Sequence, residues 1–202
     1  MVINRFRSGA VRAALASAAR PGVTPALAAM AVVFAAALTG ASAQVSVPLP
    51  ATPVPFTLQP LVVLLAGATL GARLGAASQA LYLALGAIGY PVFAASPILP
   101  QGLARLAGPT GGFLLAFPIA AFVVGALADR GWLGRQLGAS CAMGLGLVVI
   151  YVGGVAGLMS STGSTFAVAV AQGAGIFFAA DLVKAVAAAT VLPSARRWLG
   201  RA

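Results

Sequence analysis

Long apolar runs broken by short clusters of proline, glycine and arginine set the pattern of this chain, with no sustained alternation of apolar and polar positions. Apolar runs of about 20 residues are the length an α-helix needs to cross the hydrocarbon core of a bilayer. The punctuation predicts spans near residues 25–41, 56–70, 74–90, 110–128 and 137–159, the fourth kinked at Pro118. The second span is short for a crossing and must sit shallow or lean on its neighbours. The last apolar region, residues 166–192, is long for a single helix. The preferred reading divides it into a short helix over 166–174 that turns at Gly173 or Gly175, followed by a sixth span. That division puts Asp181 near a helix N-terminus, where the dipole favours an anion. The expected fold is an all-α, polytopic membrane bundle of six transmembrane helices with a proline-rich outer loop after the first. Residues 1–24 form a basic cytosolic leader and residues 25–202 one six-helix domain.

Composition supports the membrane reading. The chain is 61% hydrophobic and 7% charged, whereas a soluble domain carries roughly 25% charged residues. The formal charge of +10 would suggest nucleic acid in a soluble protein, but no basic stripe interleaves with stacking aromatics, and the positive-inside rule accounts for the arginines better. With both termini inside, Arg5, Arg7, Arg12, Arg20, Arg73, Arg130, Arg135, Arg196, Arg197 and Arg201 fall on the cytosolic side, and Arg105 alone falls outside. Trp132 and Trp198 then lie at the cytosolic interface as belt residues. The first apolar run ends in Ala41-Ser42-Ala43, like the cleavage site of a secretory signal. The basic segment before it is long for a signal, and the expectation is that this run is retained as the first helix.

The chemistry available is narrow. Histidine is absent, Cys141 is the one cysteine, and Asp129 and Asp181 are the only acidic side chains. No paired-carboxylate site, Ser-His-Asp set or Cys/His metal cluster can be assembled from these. No glycine-rich loop ends in Gly-Lys-Ser or Gly-Lys-Thr, so any ATP hydrolysis belongs to a partner. The expectation is a protein that is not an enzyme and needs no cofactor or metal.

Three features could carry function. Prolines 48, 50, 53 and 55 stiffen the first loop into an extended chain, either a lid over a pocket or a rigid connector. Gly108-Pro109-Thr110-Gly111-Gly112-Phe113 opens the fourth span, offering free amides to a ligand or simply a close helix contact. Asp181 and Lys184, spaced i to i+3 in an apolar segment, share a helical face. An opposite-charge pair there is either a ligand site or a self-satisfied ion pair. Ala31 and Ala35 on the first span permit close helix approach and form a weak partner-binding signal.

The runs 47–59, 86–93 and 108–113 and the tetrad Asp181-Leu182-Val183-Lys184 occur in the order found in the BioY family of biotin transporters, and the resemblance covers the chain beyond its basic leader. The chain departs from that pattern at Ala179-Ala180, where relatives often have Pro-Gly, and in the prolines of residues 94–101. The resemblance implies the substrate-binding membrane subunit of an energy-coupling factor transporter, taking biotin from outside in a prokaryotic inner membrane. It implies a transmembrane coupling protein and a cytosolic ATPase pair as partners, with Ala31 and Ala35 at the coupling-protein contact. Asp181 and Lys184 match the polar pair that contacts biotin. Thr52, Phe56, Gln59, Tyr90, Phe93, Thr110 and Gly111, in the same matched runs, are the further expected biotin contacts. The alternatives are a different vitamin, or a structural membrane subunit without a ligand.

Overall fold

The computed structural model describes residues 24–96 and 98–198. The basic leader therefore lies outside the described residues except for Thr24. Thr24 starts the first helix, α1 (Pro25–Gln44): its hydroxyl accepts from the Leu27 amide at 3.3 Å, and Pro25 occupies the first turn, where its missing N–H has no partner to lose. The following loop is closed at its base by two-residue strands, β1 (Ser46–Val47) and β2 (Phe56–Thr57), paired antiparallel as Ser46 with Thr57 and Val47 with Phe56. Then come α2 (Gln59–Leu70), α3 (Ala72–Ala87), a short α4 (Leu103–Ala107), α5 (Gly111–Asp129), a 3-10 turn (Trp132–Gly134) and α6 (Gln136–Thr162). The last rod is α7 (Phe166–Val170), a π-helical turn (Ala171–Gly175) and α8 (Ile176–Trp198).

Four helical segments among the described residues are long and apolar enough to cross a membrane: Pro25–Gln44, Gly111–Asp129, Gln136–Thr162 and Phe166–Thr190. The expected second span is shorter than the sequence pattern predicts, with 12 helical residues reaching about 18 Å of a hydrocarbon core about 30 Å thick. It leans on its neighbours. Gly71, at φ 86°, separates α2 from α3, and the two helices meet one turn either side of it, where a Cβ on Gly75 would lie 2.8 Å from Gly67 Cα. Asp129, at the far end of α5, accepts the Ala72 amide at 3.0 Å and so places a negative charge at the start of α3.

α5 is the hub, packing against α2, α3 and α6. Its Phe113, Phe117, Ala121 and Val124 join Leu64 of α2, Tyr82 of α3 and Met143, Leu147 and Ile150 of α6 in one core. Lipid tails are as apolar as leucine, so such helices associate through close packing, for which small residues serve best. Gly67 lies directly against the Ala121 carbonyl, Gly125 against Gly71 and Ala72, and Gly112 against Gly153 and Gly157.

The expected turn at Gly173 or Gly175 does not form. The final rod runs unbroken through the π-helical turn. Gly173 serves packing, since a Cβ there would sit 2.8 Å from Leu158 and 3.2 Å from Phe113. Asp181 consequently lies inside a helix, and the dipole argument for its placement fails; side chains stabilise it instead.

Close approach at Gly67 predicts a sharp asymmetry between two glycine substitutions. Gly67→Ala forces α2 away from the Ala121 carbonyl and should destabilise the purified protein by about 1–3 kcal/mol. Gly144→Ala meets nothing within 4 Å and should be neutral or stabilising by about 0.5–1 kcal/mol. Thermal unfolding in detergent of both variants beside the parent checks this.

Candidate ligand-binding site

The loop base, the segment after α3, α4 and the start of α5 converge at one end of the bundle around a cavity of about 60 Å³. Its walls include six aromatic side chains: Phe56 from β2, Phe93, Phe113 and Phe117, Tyr151 from α6 and Phe177 from α8. Phe56 and Phe177 stack with centroids 6.4 Å apart. Thr57, Gln59, Arg105, Thr110 and Asp181 supply further polar and charged side chains of the lining.

Asp181 is buried, 4% exposed. One carboxylate oxygen accepts from the Tyr151 hydroxyl at 2.8 Å and the other from Lys184 Nζ at 2.9 Å. The two sequence readings of the Asp181–Lys184 pair are therefore compatible: the side chains bond directly, and the carboxylate still faces a cavity. A carboxylate offers about four lone-pair sites, so these two bonds leave Asp181 able to accept more. Lys184 itself is not part of the lining; its ammonium also donates to the Thr57 carbonyl at 3.0 Å and stands 3.7 Å from the Phe56 ring centroid.

Gln59 donates to the Tyr82 hydroxyl at 2.6 Å, and the Tyr82 ring meets Phe93 edge-on at 5.5 Å. This fixes one polar and one aromatic wall from α2 and α3. Gly102, at φ 72°, turns the chain into α4, and α4 carries Arg105 inward rather than out to solvent. Arg105 is 1% exposed, and its terminal nitrogens donate to the carbonyls of Ala94 at 2.7 Å and Pro100 at 3.2 Å. Burial pushes the guanidinium below its usual pKa by disfavouring the charged form, yet a guanidinium keeps its proton at neutral pH. Among the described residues no carboxylate pairs with it. Its Nε–H and the Thr110 hydroxyl are the two buried side-chain polar atoms left without a partner there, and both residues line the same cavity.

The cavity thus brings together Phe56, Gln59, Phe93, Thr110 and Asp181 of the residues the sequence singled out. The others lie elsewhere. Thr52 is buried within the loop, where its hydroxyl accepts the Val54 amide at 3.1 Å and shapes the turn. Tyr90 is 58% exposed and off the cavity. Gly111 lies against the Leu106 carbonyl, so its role is close packing; the motif around it divides, glycines packing and Thr110 facing the cavity. Ala35 is not a surface residue. It falls on the same inward stripe of α1 as Ala28, Val32 and Thr39, with Ala31 half-buried at the edge, and the exposed stripe is Leu27, Met30, Phe34 and Leu38. Arg105 and Tyr151 are the functional candidates the sequence did not yield. Arginine counting assigns a side of the membrane and not a direction, and a tyrosine in an apolar span reads as core.

A helical membrane bundle holding one mostly apolar, partly open cavity with a few inward polar groups belongs to the class that captures small molecules. Within that class the chain belongs to the BioY family, whose model matches residues 13–201. It is 42% identical over 155 residues to the probable biotin transporter BioY of Pyrococcus horikoshii, an alignment covering 77% of this chain and 87% of that one. The biotin transporter BioY of Rhizobium etli is 41% identical over 144 residues, 68% of this chain and 75% of that one. The fold matches the crystal structure of the S-component for biotin from an ECF-type ABC transporter with a TM-score of 0.76, over 84% of this chain and 90% of that one, at 23% identity.

The unpartnered Thr110 hydroxyl gives a prediction that needs no ligand. Thr110→Val removes a buried polar group that bonds nothing, and an unsatisfied group of this kind costs about 1–3 kcal/mol. The ligand-free variant should melt at or above the temperature of the parent. A clear drop would mean that the hydroxyl has a partner within the protein.

Proposed function

We propose that this protein captures biotin in the cavity, as the substrate-binding membrane subunit of an energy-coupling factor transporter, and delivers it to the cytosol. Membership of a family whose relatives are biotin transporters agrees with the expectation of a protein that is not an enzyme. Biotin carries a ureido edge with two N–H donors and one carbonyl, an apolar fused ring, and a valerate tail ending in a carboxylate. The observation that carries the reading is a buried carboxylate, Asp181, and a buried guanidinium with a free N–H, Arg105, lining one aromatic cavity. Asp181 accepts a ureido N–H, and Arg105 donates to the valerate carboxylate. Phe56, Phe93 and Phe177 cover the ring, and Thr110 bonds whichever polar group lies beside α5. A ligand lacking the carboxylate leaves the buried Arg105 charge without its complement, and one lacking the donors leaves the remaining acceptor sites of Asp181 unused.

The arginine distribution supports an orientation with the cavity end outward in a prokaryotic inner membrane, and both termini with the Trp132–Gly134 turn cytosolic. Retention of α1 belongs to the same proposal, because Gln44 at its end donates to the carbonyls of Pro91 at 3.3 Å and Phe93 at 3.4 Å, bracing the segment that carries a cavity wall. The chain's own groups supply capture only. A coupling protein and a cytosolic ATPase pair supply the energy.

Equilibrium binding of biotin and of its neutral amide tests the assignment. Asp181→Asn should weaken both ligands by about 1.5–3 kcal/mol, the worth of a hydrogen bond to a charged group, which is roughly tenfold or more in affinity. Arg105→Met should weaken biotin by a similar amount and leave the amide nearly unchanged. Equal losses for the two ligands would remove the carboxylate from Arg105. Undiminished biotin affinity in Asp181→Asn would refute the site.

A further inference from the structure

Two glycines lie directly behind phenyl rings of the cavity wall. A side chain at Gly86, near the end of α3, would run into the far edge of the Phe93 ring, and one at Gly154 of α6 into the Phe113 ring. Both glycines are buried, and neither lines the cavity itself. Neither has a positive φ, so the helical backbone would accept alanine, a better helix former than glycine. What excludes a side chain there is the ring. This separates the two from Gly67, Gly112 and Gly125, whose neighbours are the backbone of adjacent helices.

The rings are not free to retreat with their backbone. The Phe93 carbonyl accepts from Gln44 of α1 at 3.4 Å, and the next carbonyl, that of Ala94, accepts from Arg105 of α4 at 2.7 Å. Tyr82 meets the Phe93 ring edge-on at 5.5 Å. Phe113 follows Gly112, which is seated against Gly153 and Gly157, and a Cβ on Gly173 would come within 3.2 Å of the tip of its ring. Both phenylalanines are buried. In a close-packed interior a displaced ring turns toward whatever space adjoins it, and the space beside each of these rings is the cavity.

We propose that Gly86 and Gly154 are specificity-determining positions: by leaving room behind Phe93 and Phe113 they hold two walls back and set how broad an occupant the cavity admits. Alanine at either position turns the ring inward and narrows the cavity, while every polar group of the lining keeps its place. Selection at these walls is by width and not by polarity. The proposal rests on the cavity being the binding site and adds what limits the bulk of its ligand.

Three ligands of graded bulk test it. Dethiobiotin, biotin and biotin sulfone share the ureido edge and the valerate tail and differ at the sulfur, which is absent, present, or bearing two oxygens. Relative to the parent, Gly86→Ala and Gly154→Ala should each lose least affinity for dethiobiotin and most for the sulfone, with biotin weakened about tenfold, the scale of overpacking by one methyl group. Adding Phe93→Leu to Gly86→Ala gives the displaced side chain less bulk and should recover more affinity for the sulfone than for dethiobiotin. Gly67→Ala, crowded by backbone away from the cavity, should change all three affinities by one common factor, and Gly144→Ala, with nothing within 4 Å, should change none. A common factor for the three ligands at Gly86 or Gly154, or undiminished affinity for all of them, overturns the proposal at that position. Gly154→Ala, on a different helix, carries the same test if Gly86→Ala does not fold. A ligand-free crystal structure of either alanine variant decides the geometry separately: the ring turned into the cavity supports the proposal, and a shifted helix with the ring in place overturns it. If the parent binds none of the three ligands, the proposed function fails, and that structure still decides whether the glycines hold the walls back.

Discussion

A charge enclosed in an apolar bundle must find a counter-charge or hydrogen-bonding partners, and the architecture of this protein follows from how two such charges are accommodated. Asp181 is held by the Tyr151 hydroxyl and Lys184. Arg105 is held by two main-chain carbonyls and keeps one N–H in reserve. Breaking a buried pair by removing one partner typically costs several kcal/mol. Asp181 therefore ties α8 to α6 and, through Lys184, to β2, while Arg105 ties α4 to the segment that follows α3. Where one such charge is left incompletely satisfied, at Arg105, the structure has room for a ligand of opposite charge.

Glycine contacts around α5 make that arrangement possible. Helices that cannot rely on the hydrophobic effect to associate need backbone proximity, and Gly67, Gly112 and Gly125 bring α2, α6 and the start of α3 into direct contact with the hub. Asp129 then fixes where α3 begins. Gly67 and Gly125 set the helices near the start of α3 and Gly112 seats α6 against the start of α5, and beside it the aromatic side chains meet around a cavity instead of filling it. Stability and binding are thus assigned to different residues on the same helix: α5 packs with its glycines and offers Thr110 at its start.

The long helices were legible because apolar runs of membrane length leave few alternatives, and the ends of the first five shifted by only a few residues, although the short α4 was not foreseen. Gly173 shows the limit of punctuation: a glycine inside an apolar run signals a break or a close contact equally well, and here Leu158 and Phe113 decided for contact. The Asp181–Lys184 pair was legible because charge is rare in such a segment. The partner Tyr151 was not, since only three-dimensional packing brings α6 to α8. Arginine counting gave Arg105 a side of the membrane but not its burial, which Gly102 and α4 bring about by turning it inward. Tyr90, Thr52 and Gly111 entered through resemblance in runs of sequence, which carries position along the chain but not the face a side chain occupies. For Ala31 and Ala35, a spacing of four likewise defines a stripe and leaves open which way it points; Ala35 is buried within the chain and Ala31 half-buried.

The proposed function requires a ligand lying between Asp181 and Arg105 beneath the 46–57 loop. A structure of the protein determined with biotin bound tests this most directly. The predicted result places the ureido nitrogens within hydrogen-bond distance of the Asp181 carboxylate and the valerate carboxylate on Arg105 Nε. Biotin found outside the cavity, or bound there with Arg105 Nε still unpartnered, would contradict it.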